Sequence, residues 1–167
     1  MEIVLLKGDI TQSTCEAIVN AANSNLWAGG GVCGAIFKAA GRRELQDACN
    51  KIGHCNTGDA VITPGFDLNA KYVIHAVGPI YEGDSSKKYL EGAYYNSLRV
   101  ADENNIKSIA FPSISTGIYG YPVEKASKIA IDTIKKYFED KKDSKIEKVE
   151  FDLFDDNTYS NFKQATK

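Results

Sequence analysis

The chain has 167 residues, 43% of them hydrophobic and 25% charged, with a formal net charge of −2. That length suits one domain with a real core, spanning 1–167, and the composition is that of an ordinary soluble globule. The charge gives no electrostatic case for a specific nucleic-acid partner or an anionic membrane surface, and no apolar run approaches the roughly 18 residues that span a bilayer.

The N-terminus, Met1-Glu2-Ile3-Val4-Leu5-Leu6-Lys7, has no basic start, no long apolar region and no small-residue cleavage site. It reads as a first strand over Ile3–Leu6 rather than a signal peptide. A short second strand is predicted over Ala17–Asn20. A first helix over Val32–Ala40 closes at Gly41, and a second over Arg42–Ile52 closes at Gly53. Predicted strands over Ala60–Thr63 and Tyr72–Val77 stop at Pro64-Gly65 and Gly78-Pro79. From Lys88 to Glu103, Leu90, Ala93, Tyr94, Ser97, Leu98 and Ala101 fall on one helical face. A strand over Ser108–Phe111 ends at Pro112. Pro122, a favourable first-turn residue, opens a helix that aligns Val123, Ala126, Ala130, Ile134, Tyr137 and Phe138. The charge-rich stretch Glu139–Lys148 reads as a solvated helix end and loop. A last strand, Val149–Leu153, and a final short helix, Asn157–Gln164, complete the series. Short, nearly all-apolar strands alternating with helices predict a three-layer α/β domain whose strands are buried on both faces. Ligands in such sheets bind beyond the carboxyl ends of the strands.

The four cysteines, Cys15, Cys33, Cys49 and Cys55, read as free thiols, with a cytoplasmic location as the default expectation. His54-Cys55 is the only adjacent His/Cys pair, and no C-x-x-C or H-x-x-H spacing occurs. No metal and no cofactor is expected.

Gly29-Gly30-Gly31-Val32-Cys33-Gly34 matches G-x-G-x-x-G, which alone is a weak signal. A Rossmann-type dinucleotide site needs the glycines directly after the first strand and an acidic residue about 20 positions later. Here Asn23 to Ala28 intervene, and the region near residue 54 is Gly53-His54-Cys55-Asn56. A Walker A loop fails because Ala35-Ile36 follows Gly34. What survives is physical: free N–H groups at a helix start, unobstructed by side chains, favour an anion. Ser113-Ile114-Ser115-Thr116-Gly117-Ile118-Tyr119-Gly120 has the same character. Two donor-rich loops at strand-to-helix junctions suit a diphosphate held between them, with Tyr119 as a wall.

Taken together, these residues resemble the macro domain family. The resemblance runs from Lys7-Gly8-Asp9-Ile10-Thr11 through Ile18-Val19-Asn20-Ala21-Ala22-Asn23, Gly29 to Gly41 and Thr57-Gly58-Asp59-Ala60. It continues over Tyr72-Val73-Ile74-His75-Ala76-Val77-Gly78-Pro79 and Ile109 to Tyr121. It implies a three-layer α/β/α fold with a mixed, mostly parallel central sheet. The implied ligand is ADP-ribose, free or on an ADP-ribosylated protein, held by a monomer. By the resemblance, Asp9 accepts from the adenine amino group, Ile10 is its backbone neighbour, and Asn23 orients the distal ribose. Gly30, Gly31 and Val32 line the phosphates and distal ribose, while Ser115, Gly117, Ile118 and Tyr119 close over the diphosphate. Phe154 matches an adenine contact, and a strand-end core residue is the competing reading.

The implied activity is hydrolysis of an ADP-ribosyl ester, on acidic protein side chains or on O-acetyl-ADP-ribose, by a water near Asn23, Gly31 and Cys33. In the similar hydrolase branch an Asp usually stands where this chain has Cys33, and often a His where it has Phe37. Three readings of Cys33 stay open: a passive pocket residue, a contributor to water positioning, and a thiol activated at a helix N-terminus. Two other functions compete, a non-catalytic ADP-ribose reader and a Rossmann-type dinucleotide enzyme. His75, inside an apolar strand, reads as a satisfied core residue and Asp59 as structural. Trp27 reads equally as a pocket edge or a loop residue.

Overall fold

A computed structural model describes residues 1–167. In chain order the elements are β1 (Glu2–Lys7), a 3-10 turn (Ile10–Gln12), β2 (Ala17–Ala21), α1 (Gly31–Ala40), α2 (Arg42–Ile52), β3 (Ala60–Pro64), β4 (Tyr72–Ala76), α3 (Lys87–Glu103), β5 (Ser108–Phe111), α4 (Val123–Asp140), β6 (Lys148–Leu153) and α5 (Asp156–Ala165). Each predicted strand and helix is present, with ends moved by a residue or so. Two details differ. Pro122 stands before the helix with extended ψ, as its cap rather than its first residue. The 3-10 turn has too few residues to show a period; Asp9 builds it by accepting from the Thr11 N–H at 2.9 Å and the Thr11 hydroxyl at 2.7 Å.

The six strands form one sheet in the order β1-β6-β5-β2-β4-β3. Five run parallel; β3 lies antiparallel to β4 at the edge, with Ala60 opposite Ala76. The start of β3 therefore lies at the same end of the sheet as the carboxyl ends of the other strands. This is a mixed, mostly parallel sheet in a three-layer α/β/α arrangement. It is not the 3-2-1-4-5-6 order of a Rossmann sheet, and the Rossmann alternative fails on topology.

Alternation along the strands sends side chains into two cores. Val19, Ile74, Phe111 and Phe151 pack with Tyr94, Leu98, Ile134 and Phe162 from α3, α4 and α5. Ile18, Val73 and Ala110 pack with Ile36, Phe37 and Leu45 from α1 and α2. Each fully buried Phe, Ile or Leu contributes about 1.5–3 kcal/mol of transfer free energy. On β6 the alternation puts Glu150 and Asp152, both buried, on the second face. Glu150 accepts from the Ser13 hydroxyl at 2.7 Å and pairs with Lys148 at 3.3 Å. Burial and the neighbouring Glu150 carboxylate both push the Asp152 pKa up. A proton on Asp152 lets this pair share one hydrogen bond instead of two buried charges.

Tyr94 links core to site. Its fully buried hydroxyl accepts from the Ile114 N–H at 3.0 Å and donates to the Pro112 carbonyl at 3.4 Å. A helix side chain thus fixes the loop that follows β5.

Candidate functional site

At the carboxyl ends of β2, β4 and β5 lies a cavity of about 320 Å³. The end of β2 supplies Ala21, Ala22 and Asn23; the glycine segment supplies Gly29 to Cys33; Gly78 follows β4. The loop after β5 supplies Pro112 to Ser115 and Gly117 to Tyr119.

The glycine segment owes its path to one left-handed residue and one close approach. Gly31 has φ +57°, a left-handed conformation that favours glycine. A Cβ on Gly34 would run into the Gly29 carbonyl oxygen, so the loop folds tightly over the helix it feeds. Gly30 caps α1 without any side-chain hydrogen bond, and the first turn holds no acidic residue. The first N–H groups of α1 are therefore free to meet an anion.

Asn23 is held by its own loop. Its Oδ1 accepts from the Trp27 N–H at 3.0 Å and its Nδ2 donates to the Trp27 carbonyl at 2.8 Å. Trp27 itself is 60% exposed and is absent from the cavity wall, which settles it as a loop residue whose backbone orients Asn23. Across the cavity, Ser115 has φ +68° and a buried hydroxyl with no hydrogen-bond partner within the protein. Both features carry a cost, and they coincide in a cavity wall. Gly78 permits this approach, because a Cβ there would strike Ser115 Oγ and the Ile114 side chain.

Cys33 lies in the first turn of α1, 7% exposed. Its Sγ is 3.6 Å from Asn20 Nδ2 and 3.7 Å from the Trp27 carbonyl. Burial raises its pKa, and the hydrogen bonds from Asn20 and the Gly29 backbone only partly oppose this. Burial thus acts against thiol activation at this helix start.

Beneath Cys33, Asn20 Nδ2 lies 3.1 Å from His75 Nδ1, and His75 Nε2 lies 2.9 Å from Thr63 Oγ1. Thr63 Oγ1 is also 3.1 Å from the Pro64 carbonyl. One assignment of protons fits these three contacts: Asn20 donates to His75 Nδ1, His75 Nε2–H donates to Thr63, and Thr63 donates to Pro64, while the buried Asn20 Oδ1 has no partner within the protein. Burial pushes the His75 pKa down to about 4, so the imidazole is neutral and acts as a core residue. Phe37 is buried beside it, ring centres 6.4 Å apart. Asp59 accepts from the Ala60 N–H and pairs with Arg99 at 3.4 Å.

Of the residues singled out from sequence, Asn23, Gly30, Gly31, Val32, Cys33, Ser115, Gly117, Ile118 and Tyr119 meet in this cavity. Asp9, Ile10 and Phe154 do not. They follow β1 and β6, at the far side of the same sheet end. Ile10 is buried. Phe154 is 85% exposed, which rules out its reading as a strand-end core residue. Sequence reasoning missed Gly78, taken only as a strand stop, and Asn20, hidden inside an apolar strand. All four cysteines are free thiols, and no group of three or more His, Cys, Asp or Glu side chains is placed to hold a metal ion.

A three-layer α/β/α domain with a cavity between two donor-rich loops is a fold for holding a phosphorylated ligand. The macro domain family model matches residues 19–130, and the chain belongs to the macro domain family. A macro domain-containing protein of Caldanaerobacter subterraneus subsp. tengcongensis is 51% identical over 169 residues, covering 98% of this chain and 95% of that protein. The ADP-ribose glycohydrolase MACROD2 of Xenopus laevis is 49% identical over 156 residues, covering 92% of this chain but 37% of the larger protein. Among solved structures, the Oceanobacillus iheyensis macrodomain with ADP superposes with a TM-score of 0.90 at 38% identity, covering 97% of this chain and 88% of that one. The Trypanosoma brucei macrodomain in complex with ADP-ribose gives 0.91 at 36% identity, covering 99% and 69%.

Proposed function

We propose that this protein binds ADP-ribose across the carboxyl ends of its sheet and hydrolyses ADP-ribosyl esters there. The observation that carries the reading is the cavity between the uncapped N-terminus of α1 and the Ser113–Tyr119 loop. It offers backbone donors from two sides, the arrangement a diphosphate requires. Supporting it are the ADP-ribose of the T. brucei structure and the glycohydrolase name of MACROD2.

In this reading adenine lies beyond β1 and β6, with its amino group toward Asp9 and its face toward the exposed Phe154 ring. The diphosphate sits between the two loops, and Asn23 holds the distal ribose near Cys33. A water attacks the anomeric carbon or the ester carbonyl. The ester bond breaks, and ADP-ribose and a carboxylic acid leave. The protonated Cys33 thiol is no nucleophile in this step; it shapes the space in which the water is held. Asn23, Gly31 and the substrate's own phosphates orient the attack, and positioning alone supplies several kcal/mol of a barrier.

One observation favours the second reading, a reader that binds without turnover. Cys33 and Tyr119 are the only titratable side chains in the cavity wall, with no carboxylate or imidazole among them. Two measurements test the pair. Calorimetry with ADP-ribose is expected to show one site, and absence of binding refutes both readings. Release of ADP-ribose from a glutamate-modified protein at a rate above background supports the hydrolase; binding with no release leaves the reader.

A further inference from the structure

A second, larger cavity of about 680 Å³ adjoins the first, and the two share Gly78 and Tyr119 in their walls. Its wall comes from the segment before β3 (Asn56, Thr57), the segment between β4 and α3 (Ile80, Glu82, Ser85) and the first turn of α3 (Lys88, Tyr89).

The sheet order states what this position means. Along the ligand-binding end the strands run β1-β6-β5-β2-β4-β3. Asp9 and Phe154 follow β1 and β6, the first cavity lies over β5 and β2, and the second lies over β4 and β3. A ligand laid with adenine at β1 and β6 and its distal ribose at Asn23 directs whatever is attached to that ribose toward β4 and β3. The second cavity is where the attached group goes.

Its size and chemistry select the group. At about twice the first volume, it exceeds the needs of an acetyl ester. Thr57 and Ser85 offer exposed hydroxyls and Asn56 an exposed amide, which pair with peptide N–H and C=O groups. Ile80 is 60% and Tyr89 41% exposed, giving apolar contact beside them. Lys88, its ammonium 5.0 Å from the Tyr89 ring centre, is the only basic side chain in this wall.

We propose that this second cavity is a subsite for the polypeptide flanking an ADP-ribosylated residue, whose contacts add to those made by ADP-ribose itself. The proposal rests on the ADP-ribose reading above. Its test is calorimetry with two probes: free ADP-ribose, and a peptide carrying ADP-ribose through a hydrolysis-resistant amide. Wild-type protein is expected to bind the peptide about tenfold more tightly than the free ligand, as a few added polar and apolar contacts provide. Ser85→Trp, which fills the cavity from an exposed position, and Lys88→Glu are each expected to remove most of that advantage. Unchanged affinity for free ADP-ribose shows that both variants are folded. Equal wild-type affinity for the two probes overturns the subsite alone, as does an advantage that both variants retain. Failure to bind free ADP-ribose overturns the ligand reading and the subsite with it.

Discussion

Acidification tests the buried imidazole of His75 directly. Its pKa is lowered by burial from the ordinary 6.5 to about 4. Between those values the unfolded chain binds a proton that the folded chain refuses, so stability is present above the unfolded pKa and is lost as pH falls toward the folded one. A single group with these two constants removes about 1.2 kcal/mol between pH 7 and 5.5, and about 2.4 kcal/mol between pH 7 and 4.5. Another group titrates across this range: burial and the Glu150 carboxylate push Asp152 up to about 8. The effect of His75 is therefore read as a difference. Urea denaturation of the wild type and His75→Gln at pH 7, 5.5 and 4.5 gives two curves of stability against pH. The variant is less stable at pH 7, because the Asn20 and Thr63 partners are disturbed, and its deficit shrinks by the stated amounts on acidification. A deficit independent of pH refutes the neutral, buried imidazole. So does an NMR titration placing His75 near 6.5; only His54 shares its spectral region.

Asp9→Asn keeps an oxygen to accept from Thr11 but loses the charge that the proposed binding mode sets against the adenine amino group. Thermal stability is expected to hold, while ADP-ribose affinity drops about tenfold, the worth of one charge-assisted hydrogen bond; unchanged affinity by calorimetry removes the adenine assignment. Cys33→Asp is expected to raise ester hydrolysis with affinity unchanged, since it places an acceptor beside Asn20 Nδ2. A lower rate in a turnover assay makes the thiol itself part of the mechanism. Gly34→Ala forces a methyl onto the Gly29 carbonyl and is expected to cost about 1–3 kcal/mol of stability by overpacking, read by urea denaturation, with weaker ADP-ribose binding; a wild-type midpoint refutes the close approach.

The strands were legible because each is a short apolar run, and three of them, β3, β4 and β5, stop at glycine or proline; those stops are local chemistry. Pairing is not local. Nothing in Ala60–Pro64 marks it as the antiparallel edge, which depends on where the chain returns to β4. The two loops were legible for the same reason as the strands, since glycine and hydroxyl residues declare free backbone donors. Cys33 was only half legible. Its place at a helix start suggests an activated thiol, but the burial that opposes this comes from residues distant in sequence. Phe154 shows the converse: an aromatic at a strand end looks like core, yet beyond the carboxyl end of β6 it stands in solvent. His75 was legible as a core residue, but its pairing with Asn20 and Thr63 was not, because these partners are assembled from β2, β3 and β4.

Helix α1 begins on glycines, without a capping side chain or a first-turn carboxylate. An ordinary helix completes its own beginning; this one delegates that task to whatever anion arrives. The stability of the free protein is then a property of its buffer. Phosphate or sulfate is expected to occupy the donors that a diphosphate would use, raising the melting temperature and weakening apparent ADP-ribose affinity together. A buffer of bulky, weakly hydrogen-bonding anions exposes the helix start and reports the fold on its own account.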